Sequence, residues 1–140
     1  MANITPVVTP VYGHHNIDGW QVVWAPMKGG DVGIPVGTTI GLGAAAQVAP
    51  GGGTMAGFAD KTIQAVGTFT SGASVACEGS NDAGANWFAL NDPFGNIIAI
   101  TSPLLKEITE AVIWIRPHVN AGDGSTALTV TMFLRKTQTP

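Results

Sequence analysis

Two adjacent histidines, His14 and His15, are the residues whose type most directly suggests metal binding. Neighbouring side chains of an extended chain point in different directions, so the two rings are poorly placed to bind one ion. Only Asp18 lies at ligand spacing from them, and no cysteine is nearby. The pattern favours a polar hinge, and we predict neither a bound metal nor a cofactor.

Two loop segments have the composition of ligand-binding loops without the required spacing. Residues 82–86, Asp-Ala-Gly-Ala-Asn, are similar to a calcium loop but lack its alternating acidic ligands and its closing glutamate. Residues 51–54, Gly-Gly-Gly-Thr, lack the lysine that ends a phosphate-binding P-loop. The first segment instead predicts a tight turn, in which Asn81 and Asp82 cap backbone groups and Gly84 adopts a positive φ.

Nucleophiles with suitable catalytic partners are missing from the sequence. The single cysteine, Cys77, lies in the apolar run Ser-Val-Ala-Cys, which is typical of a small buried thiol. His118 has no triad-like companions, and no Gly-x-Ser-x-Gly nucleophile elbow occurs. We therefore predict that the protein is not an enzyme. The alternative, a small hydrolase, would require a cleft that gathers several of the acids Asp18, Asp60, Asp92 and Asp123.

The four tryptophans are candidates for binding or association. Trp20 and Trp24 lie four residues apart with Val22 between them, so on a strand they share one face. Exposed rings on one face can stack on a carbohydrate, whereas a subunit interface would bury them as anchors. The sequence leaves both interpretations open, and core packing is expected for two of the four.

Charge is scarce in this chain of 140 residues, because only 11% are charged, against about 25% in typical soluble domains. Hydrophobic residues make up 45%, and 19 residues are glycine. A small domain has too much surface for its volume to bury so much apolar area in its own core. We therefore expect other protein, either copies of this chain or a larger partner, to cover the excess.

The composition argues against nucleic acid and membranes as partners. The formal net charge is -3, and the basic residues are scattered except for Arg135 and Lys136. Apolar runs are broken by Gly, Pro or Thr well short of the roughly 20 residues that span a bilayer. The N-terminal residues lack the basic and apolar regions of a signal peptide, so we expect synthesis in a cytoplasm.

Alternating apolar and polar residues, interrupted by turns, predict an all-β fold. Residues 128–135 alternate cleanly between two faces. Turns rich in Gly, Asn and Asp separate the other candidate strands. Residues 104–111 are the only candidate helix, and this segment is short enough to be a turn. This spacing indicates a single β-sandwich or barrel over residues 1–140. The other predicted strands are 20–24, 62–69, 74–78, 87–90, 96–100 and 112–117.

Two segments do not fit the strand pattern. Residues 1–16 are apolar and rich in proline, which opposes a central strand, so they predict an extended N-terminal arm. Residues 37–57 form a long, uncharged Gly/Ala-rich loop, although disordered loops are usually charged. We predict that both segments contact other subunits; a flexible surface loop is the alternative for the second. The predicted contact residues are Pro6, Val7, Val8, Val11, Tyr12, Trp20, Trp24, Ile40, Leu42, Val48 and Met55.

The succession of turns and strands from Ile63 to Lys136, about half of the chain, resembles a known family. It is similar to small virion proteins of tailed bacteriophages, in particular the jelly-roll cement (decoration) proteins of their capsids. Similar patterns occur in phage tail and fibre modules, and the first 60 residues add no family signature. The motifs are Val-Gly-Thr-Phe (66–69), Gly-Ser-Asn-Asp-Ala-Gly-Ala-Asn-Trp (79–87), Leu-Asn-Asp-Pro-Phe-Gly-Asn (90–96), Ile-Arg-Pro-His-Val (115–119) and Gly-Ser-Thr-Ala-Leu-Thr-Val-Thr-Met (124–132).

The resemblance implies an antiparallel β-sandwich of jelly-roll type and a structural role in the virion. Such a protein binds the outside of the assembled capsid and bridges neighbouring subunits of the major capsid protein as a homodimer or homotrimer. It would be made in the cytoplasm of the bacterial host. Many copies give avidity even when each contact is weak. The alternative function is a carbohydrate-binding module of a phage virion or tail, with Trp20 and Trp24 exposed.

Overall fold

Strands make up the regular secondary structure of the part of the chain that the computed structural model describes, which is residues 1–12, 17–37, 58–82 and 84–136. The all-β prediction is confirmed. No helix in these ranges is long and apolar enough to cross a membrane. The strands are β1 (Asn3–Ile4), β2 (Val7–Tyr12), β3 (Ile17–Met27), β4 (Val32–Gly33), β5 (Val36–Gly37), β6 (Phe58–Thr68), β7 (Ser74–Ser80), β8 (Phe88–Ala89), β9 (Ala99–Ile100), β10 (Leu104–Ile108), β11 (Trp114–Asn120) and β12 (Ala127–Lys136).

The strands form two sheets that enclose a shared core. The five-stranded sheet has the order β10-β6-β12-β3-β2, and all its pairs are antiparallel. The seven-stranded sheet has the order β1-β4-β11-β7-β8, with β5 beside β11 and β9 beside β7. Within it, β1 and β4 run parallel. The structure is therefore a β-sandwich, as the turn-and-strand spacing predicts.

Strand pairing follows a nested order along the chain. β3 pairs with β12, β4 and β5 pair with β11, β6 pairs with β10, and β7 pairs with β8 and β9. The chain thus runs as one long antiparallel ribbon whose two halves pair from the ends inward. Successive pairs alternate between the two sheets, and most pairings join residues far apart in sequence.

The core lies between the sheets and is built from alternate residues of each strand. On β12, the four apolar residues at 128, 130, 132 and 134 are buried, as their alternation predicts. On β11, Ile115 and Val119 face the same core. Trp24 of β3 is fully buried, and its indole Nε1–H donates to the Ile34 carbonyl at 3.0 Å. Trp24 is therefore buried with its only side-chain hydrogen-bond donor satisfied.

The first twelve residues belong to the sandwich, which corrects the prediction of an arm outside it. β2 pairs with β3 in register from Val7 opposite Val23, and β1 pairs with β4. Both are edge strands. An edge strand accepts proline because one side of its backbone has no sheet neighbour that needs an N–H donor, and Pro10 lies in β2.

A strand also replaces the predicted turn at 104–111. Residues 104–108 form β10, which pairs with β6 from Leu104 opposite Ala65 to Ile108 opposite Lys61. Ile108 is buried and completes the core at this end. The short apolar pattern did not distinguish a strand from a turn, because the pairing with β6 is a tertiary contact.

Candidate interaction surface

One side of the sandwich is formed by the edges β8–β9 and β10, which are tied to each other. The backbone N–H of Thr109 donates to the Asn91 carbonyl at 3.0 Å. The Glu110 carboxylate accepts the Asn91 N–H at 2.8 Å, and the Lys106 ammonium lies 3.5 Å from the Asp92 carboxylate. These contacts hold the edges of the two sheets together, so they form one surface.

Five large apolar side chains of this surface are exposed to solvent. Phe94 is 88% exposed and Leu104, the least exposed, 44%. Single exposed hydrophobic residues are ordinary, but several along one edge of a small domain mark a candidate protein contact. Leu104 and Leu105 follow each other in β10 and point to opposite faces of their sheet, so the set includes side chains on both sides of this edge. We call this set the apolar flank; its members are Phe88, Phe94, Ile97, Leu104 and Leu105.

Asp92 holds the turn that carries Phe94. The side chain of Asp92 is only 4% exposed, and its Oδ1 accepts the backbone N–H groups of Phe94 and Asn96 at 2.9 and 3.0 Å. Gly95 follows with φ +82° and donates its N–H to the Asp92 carbonyl. Because the turn is fixed by its own hydrogen bonds, the Phe94 ring stands out from a defined backbone.

The opposite edge of the five-stranded sheet is also partly apolar. In β2, Val7 is 67% and Tyr12 is 72% exposed, and Val11 is 37% exposed. We call these three residues the N-terminal edge. Pro6 is buried, so this predicted contact residue is not available to a partner, whereas Val8 is half-buried and packs partly against the core.

Trp20 and Trp24 share the inner face of β3, opposite Leu134 and Val130 of β12. Trp24 has no exposed surface and Trp20 is half-buried, so they do not form an exposed stacking platform. Trp24 is likewise unavailable as an anchor at a subunit interface, which corrects its place among the predicted contacts. Burial of two of the four tryptophans is confirmed, the second being Trp114.

Several predicted residues lie outside the described ranges. They include the adjacent histidines and most of the long Gly/Ala-rich loop. The contacts proposed for that loop stay predictions of the sequence. The residues concerned are His14, His15, Ile40, Leu42, Val48 and Met55.

A charged cluster covers part of the seven-stranded sheet. Glu78 accepts the Arg116 Nε–H at 2.9 Å through one oxygen and lies 3.1 Å from His118 Nδ1 through the other. The Arg116 guanidinium stacks 4.0 Å from the centre of the Trp87 ring. Among the described residues, the side-chain hydrogen bond of His118 is to Glu78. A catalytic triad also needs a serine hydroxyl or cysteine thiol bonded to the histidine, and His118 makes no such bond to a described residue.

Cys77 is buried, as the apolar run around it predicts, and burial raises the pKa of its thiol. Lys61 is also buried, and burial lowers the pKa of its ammonium group. The acids of the hydrolase alternative are separated: Asp92 and Asp123 belong to different turns, and Asp60 lies 3.8 Å from Arg135. These described side chains do not converge on one cleft.

The turn after β7 has the predicted roles for Asp82 and Gly84 but not for Asn81. Hydrogen bonds from the Asn86 side chain and backbone, and from the Ser80 hydroxyl, lower the pKa of Asp82 to about 2. Gly84 has φ +85°. Asn81 Oδ1 instead accepts the N–H of Ile113 at 2.9 Å, so it ties the turn to the segment before β11 and, among the described residues, does not cap the turn.

Asp123 caps the turn between β11 and β12. Its carboxylate accepts the Ser71 and Thr70 hydroxyls at 2.6 and 2.7 Å and the Ser125 N–H at 2.9 Å. The hydroxyl bonds from Ser71 and Thr70, with the Ser125 bond, lower the pKa of Asp123 to about 2. The ionised carboxylate is therefore the form that the folded turn binds.

Replacing Asp123 with Asn should lower the melting temperature in a pH-dependent way. A lowered carboxyl pKa stabilises the fold above the unfolded pKa of about 3.9, and this stability is lost as pH falls towards 2. The melting temperatures of the two proteins should differ most above about pH 5 and converge near pH 2, as measured by circular dichroism. The exposed Asp60→Asn is the control, and a pH-independent difference for Asp123→Asn would contradict the prediction.

The apolar flank was not predicted from the sequence. The sequence predicts a turn at residues 91–95, yet Phe94 is an aromatic residue in a position where turns usually carry polar side chains. The aromatic residue within a predicted turn was the feature of the sequence that could have indicated an exposed contact.

Comparison with protein-family models, curated proteins and solved structures finds no significant match for this chain.

Proposed function

We propose that this protein is a non-enzymatic structural component of a bacteriophage virion, which binds the outside of the capsid and joins neighbouring subunits of the major capsid protein. The resemblance of residues 63–136 to capsid cement proteins supports the phage assignment. The observation that carries the proposal is the apolar flank, because five large apolar side chains exposed along one edge of the sandwich are the kind of surface that a bound protein covers.

The arrangement of the two apolar regions supports a bridging role. The apolar flank includes β10, and the N-terminal edge is β2, at the other end of the same sheet. One rigid sandwich can therefore contact two neighbours at the same time. The low charge of the chain favours such contacts, because few charged groups lose their hydration when a partner covers the surface.

The strand order supports the jelly-roll form of the sandwich. Four nested antiparallel groups of strands, alternating between two sheets, are what results when one long ribbon wraps around a core. The wrapping leaves β2 and β10 at the sheet edges, where a backbone can pair with another strand. We propose that self-association into a dimer or trimer uses such an edge.

A charged apolar flank should weaken binding to the capsid. In the double variant Ile97→Glu/Leu105→Glu, both side chains are exposed, so the fold should persist while an apolar partner would have to bury two carboxylates. We expect the affinity for shells of the major capsid protein, measured by co-sedimentation, to fall at least about tenfold.

The matched control carries the same added charge on another surface. Asn120 and Ser125 are exposed polar residues at the turn between β11 and β12, and Asn120→Glu/Ser125→Glu should sediment with shells as the unchanged protein does. Equal loss of binding in both variants would show a general charge effect. That result, or full binding by the flank variant, would refute the proposed contact.

A further inference from the structure

We propose that a groove beside the apolar flank receives an arginine or lysine side chain of a protein partner. The inference rests on the proposed function, since it specifies what a bound protein inserts next to the apolar flank. The groove has a volume of about 470 Å³. It lies between the end of β7, β8 and the segment before β11, and its lining includes Asn81, Asp82, Phe88, Leu90, Glu110 and Val112.

Leu90, Val112 and Gly79 give the groove an apolar lining. Leu90 and Val112 both pack over Gly79, where an added Cβ would lie only 2.8–2.9 Å from their side chains. Phe88 forms one wall and is 68% exposed. The volume falls in the range of about 300–1,000 Å³ that is typical of sites for small ligands, so one long side chain fits.

Two carboxylates on the rim are fixed in place. Asp82 accepts the Asn86 side-chain amide at 2.7 Å, and Glu110 accepts the Asn91 N–H through both of its oxygens at 2.8 and 2.9 Å. Each carboxylate oxygen can accept two hydrogen bonds. Asp82 Oδ2 and Glu110 Oε1 each accept one from the described residues, which leaves each a further acceptor position.

The groove therefore offers acceptors and negative charge, and none of the described residues that line it is basic. Lys61 interacts with Glu110 electrostatically, but it is buried and does not line the groove. A ligand must supply hydrogen-bond donors and positive charge. Arginine and lysine do so on an aliphatic stem, which suits the apolar lining, and the Phe88 ring can attract the cation.

The test uses a peptide that carries a single basic side chain. The ¹⁵N-labelled protein is titrated with acetyl-Gly-Arg-Gly-amide and followed by ¹H–¹⁵N correlation spectra. We expect saturable shifts at the backbone amides of Phe88, Ala89 and Ala111. Phe88→Ala, an exposed position, and Glu110→Gln, which keeps an acceptor for Asn91, should each weaken binding at least fivefold.

The neutral, nearly isosteric citrulline peptide should produce no saturable shifts at these amides. Absence of shifts with the arginine peptide, or equal shifts with citrulline, would overturn the proposal. Saturable shifts with N-acetylglucosamine and none with arginine would overturn it too and assign the groove to a carbohydrate. If the arginine peptide does not bind but Ile97→Glu/Leu105→Glu still loses shell binding, the groove assignment is refuted and the proposed function stands.

Discussion

Replacing Trp24 with alanine should lower the free energy of unfolding by about 3–5 kcal/mol, as measured by urea denaturation. The indole is completely buried at the centre of β3 and touches the facing sheet, since an added Cβ at Gly33 of β4 would lie 2.6 Å from its Nε1. Removal leaves a large cavity between the sheets. It also leaves the Ile34 carbonyl without the donor that it has at 3.0 Å.

Trp20→Ala is the matched comparison for this prediction. Trp20 lies on the same face of β3 but is only half-buried, so its removal should cost clearly less. Equal losses for the two variants, or a loss below about 1 kcal/mol for Trp24→Ala, would contradict the assigned burial. The comparison also separates the core interpretation of this tryptophan pair from the surface interpretation, because exposed binding residues can be truncated with little loss of stability.

Replacing Gly37 with alanine should destabilise the protein by about 3 kcal/mol, near the top of the usual range for overpacking. Gly37 lies opposite Trp114 in the pairing of β5 with β11. An added Cβ there would overlap the carbonyl oxygen of Ile113 and crowd the Trp114 side chain at 2.8 Å. The Ile113 carbonyl belongs to the backbone directly before β11 and cannot swing aside like a side chain, so β5 itself must move.

Gly124→Ala is the control for this effect. An added Cβ at Gly124 meets nothing within 4 Å, so alanine should leave the midpoint of thermal unfolding nearly unchanged. Thermal unfolding by circular dichroism measures both variants. A neutral Gly37→Ala would show that β5 does not approach β11 as closely as described.

Both core predictions bear on the proposed function through rigidity. The apolar flank and the N-terminal edge hold their spacing only while the two sheets remain packed on each other. Destabilised variants should therefore lose capsid binding along with their fold. The surface variant Ile97→Glu/Leu105→Glu should lose binding while remaining folded, and this difference distinguishes a contact residue from a core residue.

Periodicity fixed which side chains enter the core wherever a strand is long. The alternation at 128–135 correctly identified the buried residues of β12, and the run around Cys77 correctly predicted a buried thiol. The side-chain cap of Asp82 and the positive φ of Gly84 in the turn after β7 were also predicted correctly. These features depend on neighbours within a few residues, so local spacing is enough to determine them.

Local spacing did not predict which strands lie at the sheet edges or which faces are exposed. Residues 1–12 became edge strands instead of a free arm, and 104–108 became a strand instead of a turn, because each pairs with a strand distant in sequence. The prediction that Trp24 is a contact residue is wrong because alternation shows that two residues share a face of a strand and does not show whether that face lies towards the core or the solvent.

By itself, the sequence determined an all-β chain with little charge, many turns and more apolar surface than one small core can hold. Only the tertiary structure decided where the excess lies. Nested pairing of distant strands brought residues 88–105 to one side, and the bonds of Asn91 and Asp92 to the β10 region fixed them there. Exposure depends on which strands become edges, and that choice is made by long-range pairing.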